Sequence, residues 1–239
     1  MIDARRAIEE MSAAVCQHLR KMERPDAELA DLQLLEASVI AKLHIAEHNA
    51  ALLSNASLEQ LSRLDNPLVE SSETVTLVSD ADWDITIKSR KAGTLLRLIA
   101  FSGAVSACMN AADTLGRYLR KAYEINDLKE RGASLKAVRD KLTEASSLHT
   151  VLKESPGLEW MEHLRNLRGE SQHGKLAGTL YLSPGTNAEP LVPRLYCESD
   201  GEVPISAYIE WTMAKTAELI TKSARVIAVD PEHAVQLKN

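Results

Sequence analysis

Residues 92–124 read AGTLLRLIAFSGAVSACMNAADTLGRYLRKAYE, and this stretch decides the fold. Apolar side chains recur along it at intervals of three and four residues, the spacing that lines one face of an α-helix. Beside that face, Gly103, Ala107 and Ala111 recur every four residues, and side chains this small allow a second helix to approach closely. The stretch therefore predicts a long helix packed against another helix. Its apolar face comprises Leu98, Phe101, Val105, Cys108, Ala112, Leu115, Leu119 and Ala122.

The same periodicity predicts helices on both sides of this stretch. Pro25 ends the first of them, Ser134 is the expected N-cap of the fourth, and Pro156 restarts the chain as a fifth. Aromatic residues make up only 4% of the chain, which leaves a core of Leu, Ile, Val, Ala and Met that suits helix packing. The predicted helices cover about residues 4–24, 26–54, 92–124, 134–154, 156–169 and 206–229.

Two segments depart from the helical period. Residues 74–78 alternate and are β-branched, and a short apolar segment follows an acidic turn, so a hairpin or a loop is expected near 74–88. Two strand-like pieces around a turn-rich segment predict a second hairpin near 178–197. The sequence therefore predicts an all-α fold, a four- to five-helix bundle with one or two small β-hairpin insertions. The expected organisation is an N-terminal helix at 1–25, the bundle at 26–230 and a polar tail at 231–239.

Charge and cysteine content exclude several classes of protein. The formal net charge of −6 argues against a protein that coats nucleic acid by bulk attraction, but it leaves room for a local basic site. Cys16, Cys108 and Cys197 are too few and too scattered for a disulfide framework or a zinc site. The N-terminal residues lack the apolar segment of a secretory signal, and the longest apolar stretch, 95–109, is too short for a membrane span. A cytoplasmic protein with no membrane partner is therefore expected.

One candidate metal site is the sequence His44-Ile45-Ala46-Glu47-His48 in the second predicted helix. At this spacing His44 and His48 share a helix face with Glu47 beside them, an arrangement suited to zinc ligands and a general base. The sequence does not fix a third ligand, although Glu124 is a candidate. The flanks are plain amphipathic helix, so the polar edge of a core stripe is the favoured interpretation, and no metal or cofactor is expected.

The stronger candidate site is the sequence EHLRNLRGESQHG at residues 162–174. On a helix continued to His173, the side chains of Arg165, Asn166 and His173 fall within an arc of roughly 80° away from the apolar side. Arg168 lies nearer the apolar edge. An arginine can grip a phosphate with a fork of N–H donors, and histidine titrates near neutrality. A solvated helix end would show the same residue types, so residue type alone leaves both interpretations open.

This segment, set before a short insertion and a last amphipathic helix, resembles the HEPN family of helical RNA-cleaving domains. The signature of that family is an Arg, four to six residues and then a His, with a polar residue, often Asn, after the Arg. Arg168 fits this spacing to His173, whereas Arg165 is followed by Asn166 but is separated from His173 by seven residues. The motif arginine is therefore either Arg165 or Arg168.

The resemblance implies a metal-independent endoribonuclease that works as a homodimer and cleaves RNA by attack of the ribose 2′-OH on the adjacent phosphate. His173 would act as general base or acid, and Asn166 would orient His173 or the phosphate. Arg165 or Arg168 would stabilise the charge of the phosphorane. Such domains act as toxins or antiphage effectors held in check by an antitoxin or regulatory partner protein.

Two alternatives stay open beside the ribonuclease. Members of the same family also occur as catalytically inactive modules that bind a nucleotide or a protein, and a zinc hydrolase at His44, Glu47 and His48 is a more distant alternative. A polar stripe on the third predicted helix, Asn110, Asp113 and Arg117, is usual for a solvent-facing surface, but it would line the site if that helix borders the cleft.

Overall fold

The structure is a computed structural model that describes residues 1–53, 89–154, 180–182, 193–197 and 201–238. The prediction of a mainly helical protein is confirmed for this part of the chain, whereas the hairpin expected near 74–88 and the helix expected at 156–169 lie outside it. The helices are α1 (Ile2–Lys21), α2 (Asp26–Leu53), α3 (Ser89–Ala122), α4 (Leu135–Lys141), α5 (Ser147–Glu154) and α6 (Ile205–Val229). The strands are β1 (Leu180–Leu182), β2 (Pro193–Cys197) and β3 (Gly201–Pro204).

Helices α1, α2, α3 and α6 form a bundle in which neighbours follow the order α6, α1, α2, α3 and back to α6, and α2 also contacts α6 across the bundle. Helix α2 is antiparallel to α1, because Arg5 near the start of α1 bonds to Glu47 near the end of α2. It is also antiparallel to α3, whose Lys121 pairs with Asp31. None of the helices, as far as the chain is described, is long and apolar enough to cross a membrane.

Helices α1 and α3 end in the same way, with a glutamate in the left-handed backbone region. Glu23 follows α1 at φ 58° and Glu124 follows α3 at φ 49°. The next residues, Arg24 and Ile125, donate their N–H groups to carbonyls five residues earlier at 3.1 and 3.0 Å, the pattern of a Schellman motif. An ion pair between Arg24 and Glu124 joins the two helix ends at one end of the bundle.

The apolar stripe predicted on residues 92–124 forms the inner face of α3. Its members from Phe101 to Ala122 are all buried, and the side chain of Leu98 lies outside the described set. The predicted close approach at the small residues is confirmed: a Cβ added at Gly103 would lie 2.8 Å from Oδ1 of Asn49 on α2. The core is aliphatic apart from a few aromatic side chains, as the composition predicts.

The prediction of one continuous fourth helix is wrong. Ser134 caps α4 as expected, by accepting from the backbone N–H of Ala137 at 3.3 Å, but α4 ends at Lys141 because Leu142 is extended, with ψ 146°. The chain turns and restarts as α5, where Ser146 accepts from the backbone N–H of His149 at 3.3 Å. The extended Leu142 forms a β-bridge with Leu237, which interrupts the helix.

Residues 231–238, predicted to form a polar tail, return to the core. Ala234 and Val235 are buried among the core side chains. The carbonyl of Ala234 accepts from the Ser146 hydroxyl at 2.6 Å and from the backbone N–H of Leu148 at 3.2 Å. Through these buried side chains and hydrogen bonds, residues 231–238 therefore attach α4 and α5 to the end of the bundle.

The strands form a three-stranded antiparallel sheet in the order β1-β2-β3, with Leu195 opposite both Leu180 and Val203. Strands β2 and β3 contact α6, and β3 runs directly into it. Strands β1 and β2 fall within the insertion predicted at 178–197. Residues 183–192 between them lie outside the described part, so that hairpin stays a prediction, and β3 was not predicted.

Candidate functional site

The predicted catalytic residues, Arg165, Asn166, Arg168 and His173, fall in the segment 155–179, which lies outside the described residues. Their geometry is therefore a prediction. The described elements on either side of this segment are α5 and β1. Helix α5 packs against α6, and the sheet that contains β1 contacts the same helix.

The zinc alternative is contradicted by the surroundings of Glu47. The guanidinium of Arg5 donates through Nη2 to both carboxylate oxygens of Glu47, at 2.9 and 2.7 Å. Its Nη1 lies 2.9 and 3.1 Å from the two ring nitrogens of His44. A cation in this position opposes Zn²⁺ and neutralises the carboxylate that would serve as general base.

A third ligand for that site is also missing where it was expected. Glu124 pairs with Arg24 at the turn between α1 and α2, and from there to Glu47 the α2 axis extends about 30 Å. Across the described ranges, no three His, Cys, Asp or Glu side chains are grouped so that they could hold a metal ion. The residues His44 and Glu47 serve instead to bind Arg5 of α1, a contact that the local sequence pattern does not indicate.

The polar stripe of α3 meets α2 at Lys42. The amine of Lys42 donates to Ser38 Oγ at 2.6 Å and to Thr114 Oγ1 at 2.9 Å. The Thr114 hydroxyl donates in turn to the backbone carbonyl of Asn110 at 2.6 Å. The predicted stripe is therefore only partly solvated: Asn110 and Asp113 are half-buried and Arg117 is exposed. It borders a polar seam between the two helices.

The charge at this seam is positive. Burial first, and the nearby Arg117 guanidinium second, hold the pKa of Lys42 below its usual value. No carboxylate within the described ranges forms an ion pair with Lys42 or Arg117. Asp113, one residue before Thr114, is engaged in an interaction of its own. A partly buried lysine whose pKa is lowered by burial and by a second cation is more frequent at binding sites than elsewhere.

A concave surface lies between α1 and the end of α6. It is an open groove of about 300 Å³ lined by His18 and Lys21 on one side and by Asp230 and Glu232 on the other. The carboxylate of Asp230 accepts from the backbone N–H of His233 at 3.1 Å, a bond that lowers the pKa of Asp230. Asp230 therefore stabilises the turn after α6. This structural role accounts for its position in the groove without a ligand.

The described part of the chain thus defines a class: a helical bundle with a small antiparallel sheet and one cationic seam between two of its helices. No family model matches the chain, no curated protein is similar to it, and no solved structure matches its fold. Its function therefore has to be argued from its own residues.

Proposed function

We propose that this protein is a HEPN-like, metal-independent endoribonuclease whose catalytic groups are Arg165, Asn166, Arg168 and His173. The observation that carries the proposal is the grouping of Arg, Asn and His before Gly174 in a chain whose described part is a helical bundle. The reaction is attack of the ribose 2′-OH on the adjacent phosphorus with loss of the 5′-oxygen, which yields a 2′,3′-cyclic phosphate and a 5′-OH. His173 moves the proton, and an arginine stabilises the phosphorane.

The homodimer in this proposal is supported by the outer face of α2. Six side chains on this face are apolar and exposed, and their spacing of three and four residues is that of a seam between two helices. Leu34 and Ile45 are 69% and 50% exposed, and the alanines between them allow a partner helix to approach closely. We name this surface the outer α2 stripe; it comprises Ala27, Ala30, Leu34, Ala37, Ala41 and Ile45.

A second copy of the chain in antiparallel orientation is the occupant that suits the outer α2 stripe. Residues 26–39 of α2 carry four acidic and no basic side chains, whereas residues 40–53 carry Lys42 and have Arg5 beside Glu47. Antiparallel pairing places the acidic half of each α2 against the cationic half of the other, and parallel pairing would place like charges together.

Light scattering coupled to size exclusion tests this interface. The wild-type chain is expected to form a dimer, and Leu34→Lys is expected to give a monomer, because a charge then enters the centre of the seam. Met22→Lys places the same charge on an exposed apolar residue outside the stripe and should remain dimeric. A monomeric wild type, or a Leu34→Lys dimer, would remove the α2 interface from the proposal.

Cleavage of RNA tests the enzyme itself. The purified full chain should cleave total RNA in EDTA, with ends that carry a 2′,3′-cyclic phosphate, and His173→Ala should abolish cleavage. His48→Ala is the matched control, because His48 is an exposed histidine outside the predicted catalytic set, and it should cleave as the wild type does. Expression of the wild type in a bacterial host should slow growth, and His173→Ala should restore it, as expected of a toxin or antiphage effector held in check by an antitoxin or regulatory partner.

A catalytically inactive helical module that binds a nucleotide or a partner protein is the second candidate function. It is favoured by the net charge of −6 and by the division of the motif between Arg165 and Arg168. RNA that stays intact in EDTA, together with normal growth of the expressing host, would select this candidate over the ribonuclease.

A further inference from the structure

We infer that the seam between α2 and α3 contains a phosphate-binding site formed by Ser38, Lys42, Thr114 and Arg117. The site does not include residues 165–173 and does not depend on cleavage. Its ligand is a phosphate group, carried either by a small anion or by an RNA backbone.

The hydrogen bonds around Lys42 leave one ammonium N–H and the Ser38 hydroxyl to donate to a ligand. Two of the three ammonium N–H groups are used by Ser38 Oγ at 2.6 Å and Thr114 Oγ1 at 2.9 Å, which orients the third. Ser38 accepts from Lys42 and so keeps its own O–H to donate, whereas the Thr114 proton is used by Asn110. Together with the guanidinium of Arg117, these groups present three kinds of donor, which suits the several acceptor oxygens of a phosphate.

Neighbouring cations on the same helices differ from Lys42 and Arg117. Lys121 is paired with Asp31 further along the α2/α3 seam, toward the start of α2. Arg24 is paired with both Glu28 and Glu124 at the end of this seam. Acidic residues outnumber basic ones in this chain by 34 to 28, so unmatched cations are not a consequence of a shortage of carboxylates. Two adjacent cations that form no ion pair with a described residue repel each other, and a bound dianion removes that cost.

The lowered pKa of Lys42 agrees with this interpretation. Burial disfavours its charged form first and Arg117 disfavours it second, and a phosphate at the seam would oppose both effects. Phosphate binding should therefore raise the pKa of Lys42 and be accompanied by proton uptake at pH values near that pKa.

Calorimetric titration of the full chain with inorganic phosphate, at constant ionic strength, tests the site. Lys42→Met and Arg117→Gln should each weaken phosphate binding at least tenfold. Lys121→Met removes the cation that pairs with Asp31 further along the same seam. This variant should bind phosphate as the wild type does. Arg117 is exposed, so Arg117→Gln keeps the test valid if Lys42→Met alters folding. A wild type that does not bind phosphate, or binding unchanged in both Lys42→Met and Arg117→Gln, would overturn the site.

A second titration with a short single-stranded RNA identifies the source of the phosphate. This arm rests on the proposed function. If the site holds an RNA phosphodiester, Lys42→Met should also weaken RNA binding and reduce the slope of log K against log salt by roughly 0.7. If it holds a small anion, only the inorganic phosphate titration should change. His173→Ala should lose cleavage and keep phosphate binding, so failure of the ribonuclease and failure of this site give different results.

Discussion

Helix α3 packs against α6 and against α2 in two different ways. Toward α6 the contacts are apolar: the rings of Phe101 and Tyr208 lie 6.2 Å apart at a 42° tilt, and the thiol of Cys108 lies beside Thr216. Toward α2 the contacts include an apolar cluster of Ala46 with Ala107 and Cys108, and beside it a series of polar contacts that run from Asn49 at Gly103 through Lys42 at Thr114 to the ion pair of Asp31 with Lys121. The α2 side of α3 therefore combines apolar packing with charged groups.

The difference between these two interfaces of α3 indicates which part of the bundle can hold a functional site. Burial of apolar surface is non-directional and accounts for most of the free energy of folding, so the α3/α6 interface tolerates little change. Exposed and half-buried ion pairs contribute little to stability, so the α2/α3 seam can hold cations whose arrangement serves a ligand. The four predictions below test this division, beginning with the largest effect.

Phe101→Ala should lower the free energy of unfolding by about 3–5 kcal/mol, because it empties a buried site at the α3/α6 interface. Urea unfolding followed by circular dichroism measures this change. Ile99→Ala, two residues away on an exposed position, is the control and should cost less than about 1 kcal/mol. Equal costs for the two variants would show that α3/α6 packing does not dominate stability.

Gly116→Ala should cost about 1–3 kcal/mol, because the added methyl group would overlap the backbone carbonyl oxygen of Ala133. Backbone atoms at the start of α4 cannot relieve this overlap by rotation, whereas the end of a side chain can. Gly132→Ala is the matched control, since a Cβ at Gly132 meets nothing within 4 Å, and its midpoint in urea should stay close to that of the wild type. A Gly116→Ala variant as stable as Gly132→Ala would contradict the close contact of α3 with the start of α4.

Alkaline pH should affect the stability contributions of Cys108 and Tyr123 and that of Lys42 in opposite directions. Burial raises the pKa of the Cys108 thiol from 9.0 to about 11 and, with Asp230, raises the pKa of Tyr123 above its usual range. For these groups stability is present below the ordinary pKa and is lost as pH rises through the folded value. The pKa of Lys42 is lowered, so the unfolded chain binds more protons and stability rises with pH in the window below 10.5.

Unfolding in urea between pH 8 and pH 11 separates the two effects. Cys108→Ala and Tyr123→Phe should reduce the alkaline loss of stability, and Lys42→Met should increase the net loss because its opposing gain is removed. The same pH dependence in Lys42→Met as in the wild type would show that Lys42 is not desolvated at the seam.

Gly103→Ala, on the α2 side of α3, should change the free energy of unfolding by less than about 1 kcal/mol. The new Cβ meets only the side chain of Asn49, which can rotate at the loss of its 2.8 Å bond to the Ile45 carbonyl, and alanine gains helix propensity. The double variant with Asn49→Ala removes the overlap and should be at least as stable as the wild type. A loss as large as that of Gly116→Ala would mean that the seam is packed as rigidly as the start of α4.

The long helices could be predicted from sequence because their buried residues keep a regular period. Ile209, Thr216 and Ile227 of α6 are buried as the spacing predicts, and α1, α2 and α3 lie within a few residues of the predicted bounds. The break between α4 and α5 could not be predicted in the same way. Leu135, Leu142 and Leu148 keep a helical spacing across it, and the bridge from Leu142 to Leu237 that interrupts the helix joins distant parts of the chain.

The candidate sites also differ in whether their residues lie close together or far apart in the chain. The sequence could group Arg165, Asn166, Arg168 and His173, which lie close together in the chain, and this grouping stays a prediction. It could not find the pairing of Arg5 with Glu47, which are 42 residues apart, nor that of Lys42 with Thr114, which are 72 residues apart. The sequence could not reveal that Arg5 occupies the surroundings of His44 and Glu47, the residues of the zinc alternative, because a motif within one helix carries no information about the neighbouring helix.

By itself, the sequence determined that α1, α2, α3 and α6 are helical and which face of each is apolar, because these properties depend on residues three and four apart on one helix. Only the tertiary structure decided which charged groups meet, where the segment after Pro231 packs and which cations form no ion pair among the described residues. Those outcomes depend on the crossing of α1, α2 and α3, where side chains from distant parts of the chain come within hydrogen-bond distance.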